Sequence, residues 1–279
     1  MPDDTPLARK HNLIDAFLES PLSGLAPWIA MSLIVGPGRF EEAASIALGL
    51  SVLFVVLGHR RGGRVKVMEL FDVAYFAIIA AIGLFASAGV ITWMELWSGE
   101  MTNIALVVFA AGSILLRKPF TLEYAREQTP EEYWDSPLFL RINYRITLVW
   151  ALAFGFSALA GLYGVIVLHT SDNFWTGWIL QIGAMLFAVN FTEWYPDVAR
   201  AQIPAPASTP TDSADAPPAM SALFDWIPAF VGIVGAALLI TDSGPTYLGI
   251  ALVVIGLVAF GIVRRMTPNT AAVARPTAR

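Results

Sequence analysis

The sequence predicts an all-α, polytopic transmembrane helix bundle of about eight spans, built as four out-and-back hairpins. Three observations lead there. Charged residues make up 14% of the 279, against about 25% in an ordinary soluble domain. Hydrophobic residues make up 56%, and the mean hydropathy is +0.63. The apolar residues come in long runs, not in the stripes of a soluble helix. Lipid must cover much of the outside. A span needs ~20 residues, so the chain has room for about eight and their loops.

The elements follow in order. Residues 1–20 form a cytoplasmic or interfacial segment. Within it, Leu7, Ile14, Phe17 and Leu18 share one helical face and Arg9 and Lys10 lie near the other, so a short helix in the membrane interface and a frayed tail are both readings of it. It lacks the basic head, compact apolar stretch and cleavage site of a signal peptide. Span 1 covers about 21–36. It opens on Ser20-Pro21, contains Pro27 and stops at Gly36-Pro37-Gly38, and it is short enough to be re-entrant. Span 2 runs over about 41–58, followed by the basic loop His59 to Lys66. Span 3 runs over about 67–91 and span 4 over about 100–116.

A long polar loop covers 117–141. Thr129-Pro130-Glu131-Glu132 is a helix-start signal, with a capping threonine, a first-turn proline and acids at the positive end of the dipole. Asp135-Ser136-Pro137 ends that helix and caps the next. Phe120, Leu122, Tyr124, Tyr133 and Trp134 give the loop an aromatic side suited to headgroups. Spans 5 and 6 cover about 142–168 and 174–195, closing a six-span domain over 21–199. Residues 200–221 read as a disordered linker. Residues 222–265 form a C-terminal hairpin of spans 7 and 8, and 266–279 a disordered tail.

Charge sets the orientation. Of the 17 Lys and Arg, only Arg39 falls on the far side of an eight-span arrangement. The positive-inside rule puts the other side, with both termini, in the cytoplasm; the expected membrane is a bacterial inner membrane. The opposite loops carry Glu41, Glu42, Glu95, Glu100, Asp172 and Asp242. Trp93 and Trp97 anchor the outer boundary, and Trp134, Trp194 and Tyr195 the inner one.

Ionisable groups inside a span are functional candidates by default. Glu69 and Asp72 start span 3, three residues apart. Asn143 and Arg145 start span 5. Asn190 and Glu193 lie in the last turns of span 6. All six sit near the inner boundary and could form one polar cluster there. One reading is an inner vestibule, a proton-linked site or a headgroup pocket. The other is snorkelling side chains and an ion pair of Arg145 with Glu69 or Asp72. Gln181 is the one strongly polar amide near mid-span, read as interhelical glue or substrate contact. Gly155, Gly161 and Gly164 in span 5, and Gly232, Gly256 and Gly261 in spans 7 and 8, permit close helix approach.

No catalytic residue, metal site or cofactor is expected. Cysteine is absent, which excludes thiolate chemistry. His11, His59 and His169 fall in separate segments, and no phosphate loop or nucleic-acid motif is present.

Several residues carry a family resemblance. Leu116-Arg117-Lys118-Pro119-Phe120, Trp134, Leu140, Asn143, Trp150-Ala-Leu-Ala-Phe154, Asn173-Phe-Trp175 and the basic loop before Val67-Met-Glu-Leu70 fall as in the intracellular septation protein A family. Residues 27–200 of the chain resemble that family of inner-membrane-spanning proteins; the C-terminal hairpin is extra. The resemblance implies a non-enzymatic scaffold in envelope maintenance or cell division. Its partners would be the bilayer and membrane proteins of the division or wall-synthesis machinery. The alternative is a small-solute or ion transporter or channel working through the inner polar cluster. A lipid-modifying enzyme at the same boundary is a third reading.

Overall fold

The computed structural model describes residues 21–60, 64–171, 173–202 and 217–266. The expected interfacial helix within 1–20, the tail after 266 and most of the linker lie outside them. Every regular element among the described residues is helical, with no strand among them. Seven helices are long and apolar enough to cross a membrane.

Two compact units divide at Ser171/Asp172. The helix that follows the division therefore groups with the C-terminal pair, whereas the sequence reading counts it as the sixth span of the first domain.

The first unit holds α1 (Pro21–Ile34), α2 (Phe40–Arg60), α3 (Val67–Phe85), α4 (Ala88–Leu115), α5 (Thr121–Glu127), a 3₁₀ turn (Glu131–Tyr133) and α6 (Pro137–Ile166). With 14 residues, α1 is about 21 Å long, short of the ~30 Å hydrocarbon layer. It stops at a turn in which Gly38 takes φ 72°. The acids Glu41 and Glu42 start α2, and His59 and Arg60 end it, each sign matched to the helix dipole. One face of α2, Phe40, Ala43, Ala44, Ala47 and Ser51, is buried. These mostly small residues let α1 and α3 approach closely. The other face exposes Ile46, Leu53 and Val56.

Two expected boundaries are corrected. Span 3 ends at Phe85, not near 91, and the next helix begins at Ala88, not near 100. Glu95, Ser98 and Gly99 read as a loop in sequence, but the helix runs on through them because its polar residues turn inward: Ser98, Glu100, Thr102 and Asn103 are all buried. Glu100 is thus no loop residue. The partner of α4 is chiefly α6, so it does not pack mainly on its sequence neighbour.

Within the polar loop, Thr121–Glu127 forms a helix the sequence did not signal. The helix expected after Thr129 is only one 3₁₀ turn, fastened by the Trp134 indole donating to the Thr129 carbonyl at 2.8 Å. Ser136 caps α6 as expected, accepting from the Phe139 N–H at 3.2 Å.

The second unit holds α7 (Leu180–Ala201), entered through a π-helical segment Phe174–Ile179, then a 3₁₀ turn (Met220–Phe224), α8 (Ile227–Ile240) and α9 (Thr246–Met266). Asn173 caps the π segment, its side-chain oxygen accepting from the Trp175 and Thr176 N–H groups at 3.0 and 3.1 Å. The pair α8 and α9 is packed backbone to backbone. A Cβ on Gly235 would stand 2.6 Å from the Val253 nitrogen, and one on Gly256 would collide with Gly232. Gly261, by contrast, faces open space.

Candidate functional site

The site grows from the start of α3. The first N–H groups of a helix have no intrahelical partner, and here carboxylates take two of them. The Lys66 N–H donates to Glu69 Oε2 at 3.1 Å, and the Val67 N–H to Glu123 Oε2 at 2.6 Å. Negative charge suits this end of the dipole. Glu123 lies on α5, so the same bond pins α5 to α3.

Lys66 turns its side chain inward. Its ammonium lies 3.1 Å from Glu127 Oε1 and 3.5 Å from Glu69 Oε1, and 4.8 Å from the centre of the Tyr124 ring. At 5% exposure it is the one buried cation among the described residues. A buried ion pair stands only when its remaining donors and acceptors are met. Here two carboxylates and an aromatic face meet them.

Asp72 lies one turn further into α3, on the same face as Glu69. It is 2% exposed. The Trp28 indole N–H of α1 donates to Asp72 Oδ1 at 2.7 Å. No basic side chain among the described residues pairs with Asp72. Trp28 is itself walled by Phe71, Tyr75 and Phe76, with ring centres 4.6–5.8 Å away. The indole therefore holds one place, and with it the carboxyl.

Tyr124 closes the cluster. Its hydroxyl is buried and has no hydrogen-bond partner among the described residues. A Cβ on Gly24 would stand 2.5 Å from that hydroxyl, so glycine at this position leaves the phenol its room. Burial, reinforced by the carboxyl groups of Asp72, Glu69, Glu123 and Glu127, pushes the phenol well above the ordinary tyrosine value. It stays a neutral donor at physiological pH. Behind it, Thr121 donates to the Asn143 carbonyl at 3.1 Å and bonds the Thr147 hydroxyl at 2.8 Å, which ties α5 to α6.

The structure thus brings together Glu69 and Asp72, and reaches Asn143 through Thr121. Asn143 is buried, and its amide donates to the Phe139 carbonyl of its own helix at 2.9 Å. Arg145 is exposed on α6; the buried cation beside Glu69 is Lys66. Asn190 and Glu193 belong to the second unit. There Asn190 donates to the Leu186 carbonyl at 2.8 Å, and Glu193 is exposed. Gln181 donates to the Thr176 carbonyl at 3.0 Å, bracing the π segment of its own helix.

Sequence reasoning missed Lys66, Trp28, Tyr124, Glu123 and Glu127. Lys66 reads as the last charge of a basic loop. The usable signal was its spacing three residues before Glu69, the separation at which side chains at a helix start meet. Nothing in the sequence pairs Trp28 with a residue 44 positions away.

Among the described residues, no three His, Asp or Glu side chains converge to hold a metal ion. Comparison with protein-family models, with curated proteins and with solved structures finds no match. The cluster therefore has to be read from its own chemistry. It is a charged site of one cation and several carboxyl groups, sealed by aromatic rings at one end of a bundle of apolar helices.

Proposed function

We propose that the chain moves a small ion or solute across the bilayer, with Lys66, Glu69, Asp72 and Glu127 as the site that binds it at the inner boundary. The single observation behind this reading is Asp72. A carboxyl inside a spanning helix is expensive unless function requires it. Asp72 has an indole donor but no cation among the described residues, which leaves it free to exchange a proton or a bound ion. Lys66 can change partners between Glu69 and Glu127 as the charge on the site changes.

On this reading the protein sits in a bacterial inner membrane. The basic ends of its helices and both termini face the cytoplasm, and α1 completes an eighth crossing by tilting little. No catalytic step and no cofactor are invoked.

The test is flux in proteoliposomes, with proton, sodium, potassium, chloride and phosphate as probes under an imposed voltage. The purified protein is expected to pass at least one of them above the level of empty vesicles. Asp72→Asn keeps the size and the acceptor for Trp28, and is expected to reduce that flux by a factor of ten or more. Flux of no probe, or full flux in Asp72→Asn, would sink the reading.

A second reading keeps the scaffold role in envelope maintenance or division that the septation protein A resemblance implies. It is favoured by the exposed acidic stretch Pro130–Tyr133 with Asp135, a polar surface braced by the Trp134 indole and lying beside the half-buried α5. Membrane proteins of the division or wall-synthesis machinery would dock there.

A further inference from the structure

A second carboxyl lies buried in the first unit, away from the Lys66 cluster. Glu100 is well inside α4 and 5% exposed. Glu95, on the same helix, accepts from the Gly38 N–H in the α1–α2 turn at 2.6 Å, which marks the end opposite Lys66. Five residues further along, Glu100 lies about 7.5 Å deeper into the bundle.

Its carboxyl fills the notch left by Gly161 of α6, where any Cβ would collide with it. Gly161 therefore makes room for a carboxyl, not for a helix backbone. Among the described residues Glu100 Oε2 is buried without a hydrogen-bond partner, and so is the hydroxyl of Ser157, one turn along from Gly161 on the same face of α6. Both side chains are more than nine-tenths buried.

The neighbours supply no cation. On α6 the facing residues are Gly161 and Ser157. On α3 Tyr75 hydrogen-bonds Thr102, and on α2 Glu41 borders Gly83. The other acid on α4 is Glu95. The basic groups at this end, Arg39 and His169, are exposed. Among the described residues no ion pair includes Glu100.

We infer that Glu100 is a proton-binding site in the half of the first unit away from Lys66, its carboxylate taking up a proton that it can release again. The step is a bare exchange: carboxylate and hydronium give carboxylic acid and water. A full charge left here would be buried and would face no cation among the described residues. Thr102, two residues on from Glu100, points to another side of α4, where it bonds Tyr75 of α3. Only the use made of the proton rests on the transport reading; the site itself rests on burial and on the missing partner.

A hydrophobic carbodiimide tests this on the unmodified protein in vesicles. The reagent adds whole to a protonated carboxyl in an apolar setting and leaves a mass tag. The expected result is a tag on Glu100 whose yield falls as the pH is raised from mildly acid to alkaline, and is unchanged by sodium at constant ionic strength. No tag on Glu100 at any pH would overturn the inference, as would a yield indifferent to pH. Protection by sodium would also overturn it, because the site would then hold a metal cation. The outcome is separable from the flux experiment. Tagging without flux removes the transport reading and leaves the site; flux without tagging does the reverse.

Discussion

Replacing Lys66 by methionine is expected to cost about 3–5 kcal/mol in a denaturant titration in detergent, the usual loss when one partner of a buried pair is removed. Lys66→Met keeps the aliphatic stem and deletes the ammonium. Glu69, at 6% exposure, is then a buried carboxylate facing no cation. The double variant Lys66→Met with Glu69→Gln removes both charges and is expected to recover most of the loss. Glu127 matters less, because its side chain is 24% exposed and water can take over the role of Lys66. A loss below about 0.5 kcal/mol in Lys66→Met, the range of an ordinary surface change, would mean that the ammonium is hydrated and the cluster is open.

Gly256→Leu is expected to be the most damaging single change in the second unit. A Cβ at this position runs into the backbone of Gly232 and stands 2.8 Å from the Pro228 carbonyl oxygen. Backbone cannot rotate aside as a side chain can, so α8 and α9 must separate along their contact. Overpacking a tight interface typically costs about 1–3 kcal/mol and sometimes more; a leucine against backbone belongs at the upper end. Gly261→Leu is the control on the same helix, since its Cβ meets nothing within 4 Å. It is expected to leave the unfolding temperature unchanged. Equal losses in the two variants would refute the packing.

Much of the helix plan could be read from the chain, because hydrophobic runs and turn residues are local signals. Ser136 caps α6 as expected, and Gly36-Pro37-Gly38 stops α1. The boundary between α3 and α4 was misread for a physical reason. Polar residues signal a loop only if they face water, and Ser98, Glu100, Thr102 and Asn103 face the α4 interior contacts instead. Hydropathy averages over all sides of a helix and cannot see that.

The site was legible in part. Glu69 and Asp72 stand out as acids at the start of an apolar run. Their partners do not, because Trp28, Tyr124 and Glu127 come from other elements and meet α3 only after folding. Gly161 shows the same limit: the residue type signals close approach, and only the tertiary structure says that the approaching group is a carboxyl.

In a membrane-spanning bundle, hydrocarbon covers the apolar outside while the charges are gathered within. Ile78, Val108 and Leu152 are apolar and 61–65% exposed on three different helices. They are exposed to lipid on this account, and to water on any soluble reading. The chain has no cysteine, so each can be replaced singly, as Ile78→Cys, Val108→Cys and Leu152→Cys, with Asp135→Cys as the exposed loop control. A thiol in hydrocarbon does not ionise, and the thiolate is the reactive form. In open membrane sheets, a charged water-soluble maleimide is expected to label the Asp135→Cys variant and to leave the other three unlabelled until detergent or denaturant is added. Rapid labelling of all three helix variants in the intact membrane would contradict the account at its base.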